Sequence, residues 1–475
     1  MYLKLLFSIV VFMAFSLGLF GRNVYVSTKG NDLHPGTFEQ PIASIQKGLN
    51  ILQPGDTLFI RGGSYYIKDQ LKFKNSGIKN KWIVVTSYKD ERVGIHADEF
   101  LKNRPKNAGM EFYNQGSLQI EGVKYVKVNG LNILYSHMAG IMVYGKKTSN
   151  ITIENCRIFS SYNSGIGLWY TDSVKVLHCE VVDANNQDHR PLGTEISREA
   201  PHEAISVAGT TNFEVAYNYL HNCSKEGIDV KEFSAFGKVH HNYLHDILRE
   251  GLYIDSWFGL LHDVEVYYNV VHHCDWGILV SSEGKKSEMK NVYIHDNLCY
   301  KNYSMGISFS TIGNDEPRSK IYVYNNTCYM NGTPGHWNGK AGGLSVVSHN
   351  LKDIYIYNNI LYKNHAFEIA TFDYPQNGLD SLKSRNIVIE NNLIGEFHEE
   401  SAFSGFFRIP IYASNGQNCI VKDPLFVDEK DLDFSLRSDS PARGKSKKIL
   451  QNEYENLGAQ VELFAKEVIS LGSKW

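Results

Sequence analysis

An asparagine that recurs at a slowly widening interval is the feature that most constrains how this chain folds. The steps between successive members are 24, 27, 28, 29, 33 and 33 residues. A period in this range is typical of a solenoid, in which each repeat buries its apolar face only by stacking on a neighbour. Matching residues of successive repeats are then expected about 4.8 Å apart. The members are Asn218, Asn242, Asn269, Asn297, Asn326, Asn359 and Asn392.

The bulk composition fits one elongated unit of 475 residues rather than several compact domains. The net charge of −3 gives no global field that would select nucleic acid, so we expect no nucleic-acid partner. Residues 1–21 place Lys4 before an apolar run and small residues near Gly21, which is the pattern of a secretory signal peptide. No later segment is apolar enough to span a bilayer, so we expect a secreted or periplasmic protein that is not held in a membrane.

The seven cysteines lie at positions internal to the repeats. Cys156 and Cys179 occupy the asparagine column, and no CxxC pair occurs that would suggest zinc. We therefore expect small, buried core residues rather than disulfides or metal ligands.

Each repeat predicts two short strands with period-2 alternation. The first ends at the recurring asparagine, as in residues 213–218, and the second begins with glycine, as in residues 227–230. No long stretch has a 3.6-residue apolar period, which argues against an α/β fold.

Strands joined by short turns in coils of this length resemble the right-handed parallel β-helix, a fold of many carbohydrate-active enzymes, over residues 110–400. Segments 25–32 and 54–63 resemble the N-terminal cap of secreted bacterial β-helix proteins, including the β-helix β-xylosidases. Segments 423–428 and 440–442 resemble their C-terminal close. The resemblance implies an all-β right-handed parallel β-helix. Its expected parts are a signal peptide (1–21), an N-terminal cap with the first coils (22–110), a β-helix with a substrate groove (111–400) and a closing segment (401–475).

Aligning the glycine-led strands separates an inward row, such as Ile228 and Val230, from an outward row. Charged and aromatic residues gather outward on the coils from about 200 to 285, which predicts a substrate groove there. An insertion at 183–201, with His189, Arg190 and Arg198, lies beside it. The candidate catalytic residues are His202, Asp229, Lys231, Arg249, Tyr253 and Asp255, and the candidate substrate-binding residues are Trp169, Lys225, Trp257 and Glu283.

The first hypothesis for this groove is β-elimination on a uronic acid. The reaction needs a cation or metal at the carboxylate, a base for the C5 proton and an acid at the leaving oxygen on C4. The groove offers all three kinds of group within a few coils. They are the cations Lys225, Lys231 and Arg249, and the possible bases and acids His202 and Tyr253. A polysaccharide lyase and an oligosaccharide dehydratase would both leave an unsaturated uronate.

Two structural roles compete with this hypothesis. Lys231 and Asp255 share a column on adjacent coils, which predicts an ion pair between them. The acidic column Glu203, Glu226 and Glu250 is either a calcium site, as carboxylates form in several β-helix lyases, or a set of partners for nearby cations.

The second hypothesis is glycoside hydrolysis by Asp255 with Asp229 or Glu283. Each pair is one coil and about two residues apart, which predicts a diagonal of about 8 Å, within the roughly 6.5–9.5 Å range of inverting enzymes. Residues 251–255 also resemble the strand that carries the aspartate nucleophile of β-helix β-xylosidases.

A third hypothesis, a non-catalytic glycan-binding protein, predicts aromatic residues spread over many coils, unlike the concentration seen here. We favour β-elimination slightly over hydrolysis because cations and carboxylates share the groove. The expected partner is an acidic poly- or oligosaccharide, and we expect a monomer.

Overall fold

The computed structural model describes residues 21–89, 91–99, 114–189, 202–336, 341–372, 379–395, 418–448 and 455–473. Within these ranges the chain winds into a solenoid of three long parallel sheets, so the predicted right-handed parallel β-helix is confirmed. The predicted signal peptide, apart from Gly21, lies outside the described residues. So do the side chain of His189 and the insertion residues Arg190 and Arg198.

Each full coil contributes three strands, one to each sheet, where the sequence predicted two. Sheet 1 holds the strands that precede the recurring asparagine, and it has thirteen members. They are Asn23–Val26, Thr57–Ile60, Ile83–Ser87, Lys124–Asn129, Ser149–Glu154, Asp172–Leu177, Thr211–Ala216, Ala235–His240, Gly259–Tyr267, Ser287–His295, Arg318–Tyr324, Leu351–Tyr357 and Ile387–Glu390.

Sheet 2 follows the asparagine and is the one that the sequence did not predict. Many of its thirteen strands have only three residues, too short to show an alternation. They are Gly63–Tyr66, Val93–His96, Asn132–Ser136, Arg157–Ser161, Glu180–Ala184, Tyr219–His221, Tyr243–His245, Val270–His272, Leu298–Tyr300, Thr327–Tyr329, Ile360–Tyr362, Leu393–Ile394 and Ile420–Val421.

Sheet 3 contains the strands predicted as glycine-led, and its eleven members carry the predicted groove on their outer face. They are Leu71–Lys72, Gly116–Glu121, Ala139–Tyr144, Ile166–Trp169, Ile205–Ala208, Ile228–Lys231, Glu250–Ile254, Trp276–Val280, Met305–Phe309, Gly342–Val346 and Ile369–Thr371. The register follows the prediction, because Ile228 pairs with Leu252, Leu252 with Ile278, and Ile278 with Ile307.

The recurring asparagines form a continuous hydrogen-bonded ladder at the corner between sheets 1 and 2. From Asn218 to Asn392, each side-chain Nδ2 donates to the Oδ1 of the next asparagine at 2.9–3.0 Å. The residue before each member has a left-handed φ between 52° and 58°, which turns the chain sharply at this corner. The corner residues are Tyr217, His241, Tyr268, Asp296, Asn325, Asn358 and Asn391.

A second ladder, which the sequence analysis missed, stands at the corner between sheets 2 and 3. The backbone N–H of Cys274 donates to Asn302 Oδ1 at 3.1 Å, and Asn302, Asn331 and Asn364 continue the row with side-chain bonds of 2.9 Å. The column includes cysteine as well as asparagine, so no single residue type marks its period.

The interior of the coils is filled by aliphatic side chains from all three sheets. Six of the seven cysteines are buried and the seventh, Cys419, is half-buried, and all seven are free thiols. The expectation of small, buried core residues is therefore confirmed for six of the seven cysteines.

The two ends of the chain pack differently. The helix Ile45–Ile51, capped by the Ser44 hydroxyl, buries Ile45 and Leu49 in the core at the N-terminal end. The C-terminal segment instead lies along the outside of sheet 2, where Phe434 and Phe464 join a second apolar cluster. The other elements are the helices Leu379–Ser384 and Val461–Ile469, the 3-10 turns Gln187–His189 and Ser470–Ser473, and the antiparallel strands Phe426–Asp428 and Asp433–Leu436. None of the helices in the described ranges is both long and apolar enough to cross a membrane.

Candidate active site

The outer face of sheet 3 carries a cleft of about 260 Å³ that all ten predicted site residues line. Four further residues line it: Glu203 and Glu226 from the predicted acidic column, and Glu232 and Phe258, which the sequence did not predict. The lining is Trp169, His202, Glu203, Lys225, Glu226, Asp229, Lys231, Glu232, Arg249, Tyr253, Asp255, Trp257, Phe258 and Glu283.

The parallel register brings these side chains together. Asp229 lies opposite Ser206 on the preceding coil and Tyr253 on the following coil, with its side chain directed away from the core. These outward positions are not solvent-exposed: Asp229 is 2% exposed, Lys231 7% and Asp255 1%. The walls of the cleft cover the outward row, so its charges act in a largely dehydrated setting.

Lys231 does not form the ion pair with Asp255 that its column predicted. Its ammonium contacts Glu203 Oε1 at 2.6 Å and Asp229 Oδ2 at 3.3 Å. The long side chain reaches back to the preceding coil, which column position alone does not reveal. Burial acts against the charge, but Glu203 and Asp229 outweigh it and hold the pKa of Lys231 well above its usual value.

Glu203 is the ionised carboxylate of this group. Burial acts to raise its pKa, but the nearby ammonium groups of Lys231 and Lys225 lower that pKa to about 2. Ser206 Oγ also donates to Glu203 Oε2 at 2.6 Å.

Arg249 and Lys225 both pair with Glu226. Arg249 Nη1 lies 3.1 Å from Glu226 Oε1, and Lys225 Nζ lies 3.6 Å from Glu226 Oε2. Of the acidic column, Glu203 and Glu226 thus serve as partners for cations. Glu250 lies 3.7 Å from Arg249 Nε, beyond hydrogen-bond distance, and receives no hydrogen bond from any described residue.

Asp255 is the least satisfied group in the cleft. Neither of its carboxyl oxygens receives a hydrogen bond from any residue in the described part of the chain. Burial, and next the charge of Glu283, raise the pKa of Asp255 well above its usual value. This setting therefore favours the protonated form of Asp255.

Glu283 and Tyr253 form a direct pair beside Asp255. The Tyr253 hydroxyl donates to Glu283 Oε1. Burial raises the pKa of Glu283, and the tyrosine hydrogen bond opposes that rise. Burial, followed by the charges of Asp255 and Glu283, raises the pKa of Tyr253 well above its usual value, so Tyr253 remains a donor.

Glu232 is a site residue that the outward-row rule could not find, because it follows the last residue of the strand Ile228–Lys231. Burial raises its pKa to about 7, and its Oε2 has no hydrogen-bond partner among the described residues. A proton would bind and leave Glu232 near neutral pH.

His202 and Trp169 form one wall. Their ring centroids are 4.2 Å apart, and Trp169 Nε1 donates to Ser206 Oγ at 3.1 Å. Burial lowers the pKa of His202 to about 3, so its imidazole is neutral at ordinary pH. Trp257 and Phe258, 44% and 54% exposed, form an aromatic rim against which a sugar ring can stack.

The predicted calcium role does not fit the contacts of the acidic column. Lys231 already lies between two carboxylates, and Glu226 is shared by two cations. No group of three or more His, Cys, Asp and Glu side chains in the described ranges is arranged to hold a metal ion.

Comparison with known proteins agrees with this fold. A family model described as Pel9A-like, right handed beta helix region matches residues 24–230, and one described as right handed beta helix region matches residues 192–328. The uncharacterized protein YwoF of Bacillus subtilis is 26% identical over 455 residues, or 89% of this chain and 92% of YwoF. Pectate lyase PEL9 of Emericella nidulans is 28% identical over 163 residues, or 34% of this chain and 39% of PEL9.

Two solved structures align with much of this chain at low sequence identity. Pectate lyase Pel9A aligns with a TM-score of 0.49 at 15% identity, over 93% of this chain and 96% of Pel9A. The GH136 lacto-N-biosidase of Eubacterium ramulus aligns with a TM-score of 0.48 at 14% identity, over 70% of this chain and 67% of that enzyme.

The stacked coils define the protein as a right-handed parallel β-helix, and the two family models that match parts of its sequence both describe right-handed β-helix regions.

Proposed function

We propose that this protein is a glycoside hydrolase that uses Asp255 and Glu283 as its two reacting carboxyl groups. The observation that carries the proposal is Asp255, a buried carboxyl group that no described residue satisfies. Burying such a group costs folding free energy. Perturbed, unpartnered carboxyls in clefts are therefore good candidates for catalysis.

The surroundings assign different tasks to the two carboxyl groups. Asp255 receives no hydrogen bond from any described residue, and its raised pKa favours the protonated form, so we assign it the role of general acid. The Tyr253 hydroxyl donates to Glu283 and favours its ionised form. Asp255 gives its proton to the glycosidic oxygen as the bond from that oxygen to C1 breaks. Glu283 either takes a proton from the water that attacks C1 or bonds to C1 itself.

The charge balance of the cleft supports a neutral sugar at the reacting position. Six carboxyl groups but only three cationic side chains line it. Each cation already contacts a carboxylate: Lys231 contacts Glu203, and Lys225 and Arg249 contact Glu226. A uronate would have to displace one of these ion pairs, whereas a neutral sugar would not.

Aryl glycosides of neutral sugars with different leaving groups test these roles. Asp255→Asn should strongly slow cleavage of a methyl or phenyl glycoside but spare a dinitrophenyl glycoside, whose leaving group needs no proton. Glu283→Gln should slow both substrates. Ser308→Ala, in the outward row two coils further on, is the control. Equal slowing of both substrates by Asp255→Asn would contradict its role as the acid.

The first product shows which form of hydrolysis operates. Proton NMR of the newly released sugar, before it mutarotates, distinguishes retention from inversion. Retention identifies Glu283 as a nucleophile, and inversion identifies it as a base.

β-Elimination is the second candidate, because the Pel9A-like model matches residues 24–230 and PEL9 is a pectate lyase by name. In this reaction a cation such as Lys231 or Arg249 would neutralise the uronate, and Tyr253 would assist the leaving oxygen. Polygalacturonate should then yield the ultraviolet absorbance of an unsaturated uronate. If that absorbance appears, and Lys231→Ala and Tyr253→Phe abolish it, elimination replaces hydrolysis.

Export by residues 1–21 is part of the proposal, because it would bring the enzyme to extracellular glycans. Mass spectrometry of the protein recovered outside the cytoplasm should show an N-terminus near Arg22. Recovery of the uncleaved chain in the cytoplasm would contradict export.

A further inference from the structure

The outer face of sheet 2 differs between its two halves. Over the C-terminal coils the C-terminal segment covers it, so that Val270 and Tyr300 are almost fully buried. Over the N-terminal coils the face forms a groove of about 660 Å³, which runs across the strands from Gly63 to Arg157. This groove, called the N-terminal groove below, is on a different sheet from the candidate active site.

Two parallel rows of outward side chains cross the strands at the N-terminal groove; in the second row His96 and Leu134 line the groove, and Tyr66 and Phe159 lie next to them. One row is small or polar, with Ser64 beside Gly94, Gly94 beside Asn132, and Asn132 beside Arg157. Because Gly94 has no side chain, the floor is recessed there.

The second row carries rings and apolar groups. Tyr66 stacks on His96 with ring centroids 4.6 Å apart, and Leu134 and Phe159 continue the row in register. Tyr66 is 65% exposed, which is unusual for a ring with so much apolar surface. An apolar row beside a row of hydrogen-bonding groups matches a pyranose chain, whose ring faces are apolar and whose edges carry hydroxyls.

The charges of the groove favour an anion. Glu91 is the acidic residue among those that line the groove. Its carboxylate accepts hydrogen bonds from the Arg61 guanidinium and from the backbone N–H of Gly62. Lys89 and Arg92 line the groove, are exposed, and make no ion pair with any residue in the described ranges. Among the described residues, neither of these two cations forms an ion pair with a carboxylate.

We infer that the N-terminal groove is a non-catalytic binding site for an anionic polysaccharide, one whose sugars carry carboxylate or sulfate groups. Lys89 and Arg92 contact the charged groups, Tyr66 stacks on a sugar ring, and Asn132 contacts hydroxyls. The N-terminal groove has an excess of cationic side chains, whereas the cleft has an excess of carboxyl groups. One protein can therefore bind an acidic polysaccharide on one face and cleave the glycosidic bond of a neutral sugar on another.

Polygalacturonate and its fully methyl-esterified form are matched probes, because they share a backbone and differ in charge. Affinity electrophoresis and calorimetry of the full-length mature protein should show binding to polygalacturonate that weakens with added salt. Binding to the esterified polymer should be much weaker. The double variant Lys89→Gln, Arg92→Gln should weaken polygalacturonate binding by about tenfold or more.

Three controls separate the groove from its alternatives. Lys320→Gln with Lys352→Gln removes the same charge from exposed positions on sheet 1 and should leave affinity nearly unchanged. Trp257→Ala should not change polymer binding, because it alters only the cleft. Tyr66→Ala should weaken binding without changing its salt dependence.

The inference is overturned if polygalacturonate and its ester bind equally, if neither binds, or if the Lys89 and Arg92 variants bind as tightly as the wild type. Cleavage of a small aryl glycoside should be unchanged in the groove variants. That readout keeps failure of this inference distinct from failure of the proposed hydrolase.

Discussion

The asparagine ladder and the cleft are two buried rows of polar side chains on the same coils, and they satisfy their polar atoms in opposite ways. Asn297 Nδ2 donates to Asn326 Oδ1 and to two backbone carbonyls, and its Oδ1 accepts from Asn269. Asp255, equally buried, receives no hydrogen bond from any described residue. The ladder stabilises the solenoid, whereas the cleft holds carboxyl groups that no described residue satisfies, at a cost in folding free energy.

The largest predicted effect is a loss of activity when Asp255 is replaced by asparagine, the residue type of the ladder. Asp255→Asn should lower kcat on a substrate with a poor leaving group by about 10³-fold, because the general acid is lost. The free energy of unfolding should stay the same or rise, since the amide needs no proton, whereas the Asp255 carboxyl must take one up when the protein folds near pH 7. Steady-state kinetics and urea denaturation of one preparation check both. If Asp255→Asn were less stable than the wild type but fully active, Asp255 would stabilise the fold as the ladder asparagines do and would have no catalytic role.

The converse change converts a ladder residue into a cleft-like carboxylate. Asn297→Asp replaces a donor that faces three acceptors with an oxygen, so the free energy of unfolding should fall by about 3–5 kcal/mol. Urea denaturation measures this difference. Asn50→Asp, on an exposed helix surface, should change stability little. A loss no larger than that of Asn50→Asp would show that the ladder contributes little to the fold.

Replacing Lys231 should lower the free energy of unfolding by less, because one of its carboxylate partners can bind a proton in compensation. Lys231→Met leaves Glu203 and Asp229 without their ammonium. Asp229, whose pKa burial already raises well above the usual value, can take up a proton once the ammonium is removed. We therefore expect a loss of about 2–3 kcal/mol in the free energy of unfolding near pH 7, smaller at acidic pH. The exposed control Lys320→Met should leave the free energy of unfolding nearly unchanged at both neutral and acidic pH. A loss that does not shrink at acidic pH would contradict this account.

The fold could be predicted because a solenoid repeats its signal. One residue type marked the first corner in every coil from Asn218 to Asn392, which fixed the register and the buried row. The second corner is marked by different types, such as Cys274 and Asn302, so its ladder was missed. The short strands of sheet 2, such as Tyr219–His221, carry too few residues for an alternation.

The position of the cleft also followed from the register, but its contacts did not. Column position predicted that Lys231 would meet Asp255, yet the lysine reaches Glu203 on the preceding coil. A long flexible side chain has several rotamers, and the choice depends on charges that lie outside its strand. Glu232 was missed because the chain leaves the strand before reaching it.

The smallest effect is the pH dependence that Glu250 imposes on stability. Burial, and next the charge of Glu226, raise the pKa of Glu250 from 4.5 to about 8 in the folded protein. The folded state therefore binds this proton more tightly than the unfolded state. The associated stability is fully present below about pH 4.5 and is lost as the pH rises through 8. Glu250→Gln carries no such proton, so its free energy of unfolding should exceed that of the wild type at pH 9.

Relaxation and the nearby Arg249 limit the size of this effect, so we expect a gain for Glu250→Gln of about 1–2 kcal/mol at pH 9 over pH 5. Urea denaturation at both values measures it, with Glu288→Gln at an exposed position as the control. If Glu250→Gln and wild type change in parallel with pH, Glu250 is ionised throughout. The charge of Glu250 would then be stabilised by its surroundings, as the polar atoms of the ladder asparagines are. The difference between the ladder and the cleft would be limited to Asp255 and its immediate neighbours.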